Sequence, residues 1–330
     1  VGGAGGARVT RNGRLAAALL SLAGLAHAAM PDGAQFARDV VSGQVDPEKF
    51  DFAAAGYWDL AEPARRTWFS DYVVALGVMD PNSSQGCSPE ALRREAAMIW
   101  NGPLQSAPDA ASWSAAMAPL RAQLAAFDAF IASTSTPPAP PGSKPDPRVD
   151  ELRARVAREQ AMRGALTDPS WTRDLPPLAA SWWMGAYSLR YGVMDCPNTE
   201  WLRRQLAQIG WFDIPTYGEE ADGNAWLIVQ HADRSPEFQR EVLALLQGLP
   251  KEKTSQRHVA YLWDRVARAQ GKPQRYGTQG SCEPDGSWKP FEVEDPAHLD
   301  ERRVALGMTP IDEHIREFTA CPKPVSKPAT

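Results

Sequence analysis

Apolar side chains recur at helical spacing through most of the chain. Leu120, Leu124, Phe127 and Ile131 fall at i, i+4, i+7 and i+11, one face of a helix that runs from about Asp109 to residue 132. Val259, Leu262, Trp263 and Val266 mark a second amphipathic face, which Gly271 and Pro273 should stop. Ser88-Pro89, Ser235-Pro236 and Thr309-Pro310 each place a hydroxyl cap before a proline at the first helical position, so three more helices should start there. Ala225 to Val229 is apolar around the whole helical circumference, which predicts a buried helix ending at Gln230-His231-Ala232-Asp233. Only Gln274 to Glu294 reads differently, as a hairpin with Asp285-Gly286 for its turn. The fold class that follows is mainly α: a helical bundle or helix-pair array with one small β-hairpin near the C-terminus.

Ser133 to Pro147 is rich in proline and nearly free of large apolar groups, so it should be an extended linker. It separates an N-terminal helical domain, residues 29–132, from a C-terminal one, residues 148–321, and the segment 322–330 reads as a frayed tail. A weak internal repeat crosses the linker. Tyr72 to Asp80 resembles Tyr187 to Asp195, and in each copy a cysteine and an E-x-L-R-R helix start follow, at Glu90 and at Glu200.

The length of 330 residues accommodates two modest cores, and the 12 Trp and 10 Phe supply bulk to fill them. With 35 Lys+Arg against 40 Asp+Glu the formal charge is -5, which argues against a nucleic-acid binder working by phosphate neutralisation. Residues 1–28 have the form of a signal peptide: Arg8, Arg11 and Arg14, then the apolar run Leu15 to Leu25, then an A-x-A site at Ala26 to Ala28. That run is too short for a membrane span, so the expectation is a periplasmic or secreted protein with no stable membrane anchor after cleavage. In an oxidising compartment Cys87, Cys196, Cys282 and Cys321 should form two disulfides, of three possible connectivities.

The densest polar signal lies in the second half. His231 follows a buried helix, where its ring would be partly desolvated; read blandly, it caps a helix C-terminus. Asp264 and Arg265 sit outside the apolar stripe of their helix, where Asp264 could equally form a surface pair with Arg268. Strand alternation would put Gln274, Tyr276 and Thr278 on one face of a polar pocket. His258, His298 and His314 read as solvated-face residues. Zinc, phosphate-loop and serine-hydrolase templates are missing from the sequence, so no cofactor or metal is expected.

Seven blocks in order carry a resemblance: Glu159-Gln160-Ala161-Met162-Arg163, Asp195 to Thr199, Gly210-Trp211, Gln230 to Asp233, Ala260 to Arg265, Gly271 to Gln279, and Asp300 to Arg303. Over about residues 150–318 the chain resembles an uncharacterised bacterial family of unknown function that shares these motifs. It departs in having Glu159 where the family tends to have Asp and Phe212 where Pro is usual. The resemblance implies a shared polar site and supplies no activity to transfer.

Two functions fit these residues. In the first, an exported, metal-independent hydrolase or group transferase acts on a polar or anionic envelope substrate. His231 is its general acid/base, Asp233 or Asp264 orients it, Arg163 and Arg265 hold the anionic group, and Gln160, Gln230, Gln274, Tyr276, Thr278 and Gln279 fix the substrate. The alternative is a non-catalytic helical module that binds a small-molecule or envelope-derived ligand, or a protein partner through its N-terminal helical domain. Access distinguishes them, since an enzyme needs an opening over His231.

Overall fold

A computed structural model describes residues 30–77, 86–317 and 321 of the chain. The expected signal peptide, the repeat segment Val78 to Asp80 and the C-terminal tail lie outside the described residues. The architecture is mainly helical with one two-stranded antiparallel sheet near the C-terminus, in agreement with the hydrophobic pattern. Its first half comprises α1 (Gly33–Ser42), α2 (Glu62–Ala75), α3 (Pro89–Ser106) and α4 (Ala110–Ala132). After the proline-rich segment come α5 (Pro147–Gly164), α6 (Pro177–Ile209), α7 (Ile214–Tyr217), α8 (Glu219–Gln230), α9 (Pro236–Gly248) and α10 (Gln256–Ala269). The chain closes with β1 (Gly280–Cys282), β2 (Trp288–Pro290), α11 (Leu299–Val304) and α12 (Ile311–Glu317).

Local chemistry sets several boundaries. The Asp109 carboxylate accepts the Ser112 amide at 2.7 Å to open α4, and the predicted stripe of Leu120, Leu124, Phe127 and Ile131 is buried. Ser88 caps α3 by accepting from the Ala91 amide at 3.1 Å. Helix α9 starts at Pro236 as expected, although Ser235 makes no side-chain cap, and α12 starts one residue after the predicted proline.

The repeat holds only in part. Glu90 opens α3, whereas Glu200 lies inside α6, a helix of 33 residues that runs straight through Pro197. Proline in a helix interior removes a backbone donor and crowds the preceding turn. Here buried groups on both sides of it, Tyr187 and Cys196 before, Trp201 and Leu202 after, hold the helical path. The repeat cysteines bond to each other as Cys87–Cys196, and the second bridge is Cys282–Cys321.

The buried apolar residues form two clusters that do not divide at the linker. The first joins α1 to α4 with Met162, Ala165 and the first half of α6, through Trp182, Trp183 and Tyr187. The second joins the start of α5 and the rest of α6, through Trp201 and Leu202, with α8, α9 and α10. Both α5 and α6 therefore contribute to each core.

The hairpin is shorter than the sequence suggests. Its pairing is Gly280 with Pro290, Ser281 with Lys289 and Cys282 with Trp288, closed at Gly286 with φ +84°. Gly280 is obligatory, because a Cβ there would lie 2.4 Å from the Trp288 ring. The run from Gln274 to Gln279 is not a strand of this sheet. Gln274 makes one isolated bridge to Val293, and Gly277, at φ +65°, turns the backbone out of the extended region. The alternation that would set Gln274, Tyr276 and Thr278 on one face is therefore broken between Tyr276 and Thr278.

Candidate functional site

Asp264 explains the shape of the 274–279 loop. Fully buried in α10, its carboxylate accepts from the amides of Arg275 (2.7 Å), Tyr276 (3.0 Å) and Thr278 (2.9 Å) and from the Thr278 hydroxyl (2.9 Å). Burial raises its pKa, and those bonds pull against the rise. Neither earlier reading of Asp264 survives: it does not orient His231, and it is not a surface partner of Arg268. Gln274 is committed in the same way. Its amide nitrogen donates to the carbonyls of Gln279 (2.8 Å) and Phe291 (2.9 Å), while its oxygen accepts the Gln279 amide at 2.8 Å. Buried Arg303 donates to the Tyr276 carbonyl at 2.6 Å and to the Thr309 carbonyl at 2.7 Å, sealing the loop from the other side.

The neighbours Gln230 and His231 point to different partners. Gln230 accepts Arg265 Nε at 2.6 Å, and Arg265 Nη1 bonds both oxygens of Asp233 at 2.7 and 2.9 Å. Gln239 adds a donor to Asp233 at 3.2 Å. An open cleft of about 450 Å³ lies here, lined by Asp233, Gln239, Arg265, Arg268 and Gln279. The end of α8 and the last residue of the loop thus meet across Arg265, as a return of the chain through α9 and α10 requires. His231 and Tyr276 are not among the lining residues, so the single pocket expected from the sequence is divided.

His231 belongs to a second polar cluster built on α5 and α6. As C-cap of α8 it places Nδ1 2.6 Å from Glu159 Oε1, at ion-pair distance though out of hydrogen-bond alignment. Glu159 is only 2% exposed, and it also receives Gln160 Nε2 and Arg163 Nε. Arg163 Nη2 reaches Asp195 Oδ2 at 2.8 Å, and its guanidinium lies over the Tyr191 ring, 4.7 Å from the centroid. Burial acts to raise the Glu159 carboxyl, but His231 and Arg163 together outweigh it and hold the pKa below the usual value. For Asp195 the balance goes the other way. Burial, helped by the charge of Glu159, pushes its pKa up to about 6 despite Arg163.

Several unpartnered polar atoms lie on the helices that build this cluster. Asp195 Oδ1, Asn198 Nδ2, Arg155 Nε and Gln230 Nε2 are all buried without a protein hydrogen bond. Most buried polar atoms are satisfied, so each of these has room for a bond from a ligand or water. Nε2 of His231 has no partner among the described residues either, and the side chain keeps 20% exposure.

Two roles were not visible from the sequence. Glu159 and Asp195 appear there only as letters of motifs, yet they supply the carboxylates beside His231. Glu159 follows Val149, Leu152 and Val156 in the buried stripe of α5, and a carboxylate in an apolar stripe was the available signal. The same holds for Asp222 in α8, 1% exposed and in line with Ala225 and Val229, which pairs with His258 Nδ1 at 3.0 Å. His258 is therefore a carboxylate-bound histidine and not a freely solvated one. Among the described residues, no group of three or more His, Cys, Asp or Glu side chains is placed to hold a metal ion.

A model for a family of unknown function (DUF6624) matches residues 145–321, just over half of the chain. Among curated proteins and solved structures nothing matches. Both polar clusters and the 274–279 loop fall inside the matched region.

Proposed function

The chain belongs to DUF6624, a family without an assigned activity, and we propose from its own residues that it is a hydrolase or group transferase in which His231 moves the proton. The observation that carries this reading is the approach of His231 Nδ1 to buried Glu159, beside a second carboxyl, Asp195, with a pKa of about 6. The Glu159 charge favours a proton on Nδ1, which leaves Nε2 to accept a proton from water or a substrate hydroxyl and to return it to the leaving group. Asp195 exchanges its proton near neutral pH, the range useful to an acid catalyst. Arg163 Nη1 makes no hydrogen bond within the described residues and is available to a substrate anion. A polar or anionic substrate fits these groups.

The two disulfides support an oxidising compartment, and with the charged and apolar pattern of residues 1–28 they favour a periplasmic or secreted enzyme acting on envelope material. A non-catalytic module is the second reading. It is favoured by Asp264 and Gln274, whose hydrogen bonds are spent inside the protein.

The test is an untargeted mass-spectrometric screen of envelope extract with the wild type and His231→Gln. A compound consumed by the wild type and spared by a folded variant is the expected result. Equal consumption by both, or none by either, overturns the proposal.

A further inference from the structure

The Asp222–His258 pair stands apart from the His231 cluster, on the side of α8 facing the start of α10. Asp222 accepts Trp211 Nε1 at 2.7 Å and the Ser255 amide at 3.2 Å in addition to His258. Its burial acts to raise the carboxyl, but these bonds, with a contribution from Thr254, hold it below the usual range. An ionised Asp222 favours a proton on His258 Nδ1, and in the neutral ring Nε2 is then an acceptor. The ring is held flat against Trp226, with centroids 4.3 Å apart and 9° between planes.

Two open clefts share His258 and Ser255. One, of about 650 Å³, carries Glu219, Lys251, Glu252 and Thr254; the other, of about 400 Å³, carries Trp226, Arg257 and Tyr261. Thr254 is 1% exposed, and its hydroxyl lies beside Asp222 without an aligned hydrogen bond. Glu219, Lys251, Glu252 and Arg257 form no ion pair within the described residues, although many other charged groups of the chain do. The adjoining clefts therefore hold two unpaired anions and two unpaired cations around the His258 ring.

We infer that this is a second ligand site, separate from the His231 centre, and that it takes a short peptide with a free amino terminus. A simple anion would face the carboxylates of Glu219, Glu252 and Asp222. A simple cation would leave Lys251 and Arg257 unanswered. A zwitterionic peptide answers both, with its ammonium toward Glu219, Glu252 and His258 Nε2 and its carboxylate toward Lys251 or Arg257. The cleft volumes lie in the range of small-ligand sites.

The test is titration of the full chain with tri-alanine while imidazole proton–carbon NMR signals are followed, the His258 signal being assigned by its loss in His258→Gln. The expected result is a saturable shift of His258 with no change at His231. Affinity should weaken roughly tenfold or more when the peptide is N-acetylated, and likewise in a folded Glu219→Gln/Glu252→Gln variant. No His258 shift up to about 10 mM peptide, or a shift indifferent to acetylation and to the double variant, overturns the inference. The measurement reads binding at His258 only, so failure of the His231 proposal leaves it intact.

Discussion

Glu159 and His231 come from helices on opposite sides of α6 in the sequence, and they meet at 2.6 Å with the glutamate almost wholly enclosed. The pair is asymmetric. Its carboxylate is bound by three side chains, while the ring has a second nitrogen to spare. Substituting the two residues should therefore have opposite consequences. His231→Gln keeps a donor within reach of Glu159, and its unfolding free energy should change by less than about 1 kcal/mol while turnover is lost. Glu159→Gln strips the half-buried Arg163 guanidinium of its closest charge and should cost about 3 kcal/mol in urea unfolding. A His231→Gln protein that melts many degrees lower would assign the cluster to structure.

Asp195 makes stability depend on pH in a definite direction. Below its ordinary pKa of 3.8 the carboxyl is protonated in folded and unfolded chains alike. Between 3.8 and about 6 the folded chain binds the proton more tightly, so stability falls as pH rises and the loss is complete above about 6. The group's contribution across that window is on the order of 2–3 kcal/mol. Asp195→Asn cannot ionise. Relative to wild type it should gain stability when urea unfolding is repeated at pH 7.5 instead of pH 4.5, and a difference that stays flat with pH would contradict the shifted carboxyl.

Asp264→Asn should be among the more damaging conservative changes. One amide oxygen cannot replace a carboxylate that accepts from three backbone amides and a hydroxyl. The cost should be about 2–4 kcal/mol. Hydrogen exchange at residues 275, 276 and 278 should accelerate ahead of the rest of the protein. Protection that stays at wild-type levels would show that the loop does not depend on this anchor.

The two bridges close loops of very different length, with a sequence separation of 109 for Cys87–Cys196 and 39 for Cys282–Cys321. Replacing the first pair by alanine should cost roughly 2–5 kcal/mol and more than replacing the second. Denaturant unfolding of the two double variants compares them directly, and a larger loss from the second pair would reverse the order.

The helical body could be read from apolar spacing and caps because those signals are local. The buried stripe of α4, the stop after α10 and the turn at Gly286 all follow from neighbouring residues. What escaped was set by distant groups. Residues 274–279 look like a strand until the carboxylate of Asp264 draws in their amides, and α6 looks interrupted at Pro197 until its buried flanks are counted. The site was half legible. His231 and Arg163 were singled out, but the value of Glu159 and Asp222 lay in carboxylates occupying stripes otherwise apolar, a pattern that reads as noise until the stripes are known to be buried.

A helix shared by two cores alters what the proline-rich segment can do as a hinge. Proteolysis between residues 133 and 146 would sever the backbone there, yet the fragments would still be tied by Cys87–Cys196 and by the packing of α6 against α3 and α4. A nicked chain should travel as a single particle through size exclusion and separate only when reduced and denatured. The segment that looks most like a boundary in the sequence should then be a dispensable tether between halves held together by a shared helix and a bridge.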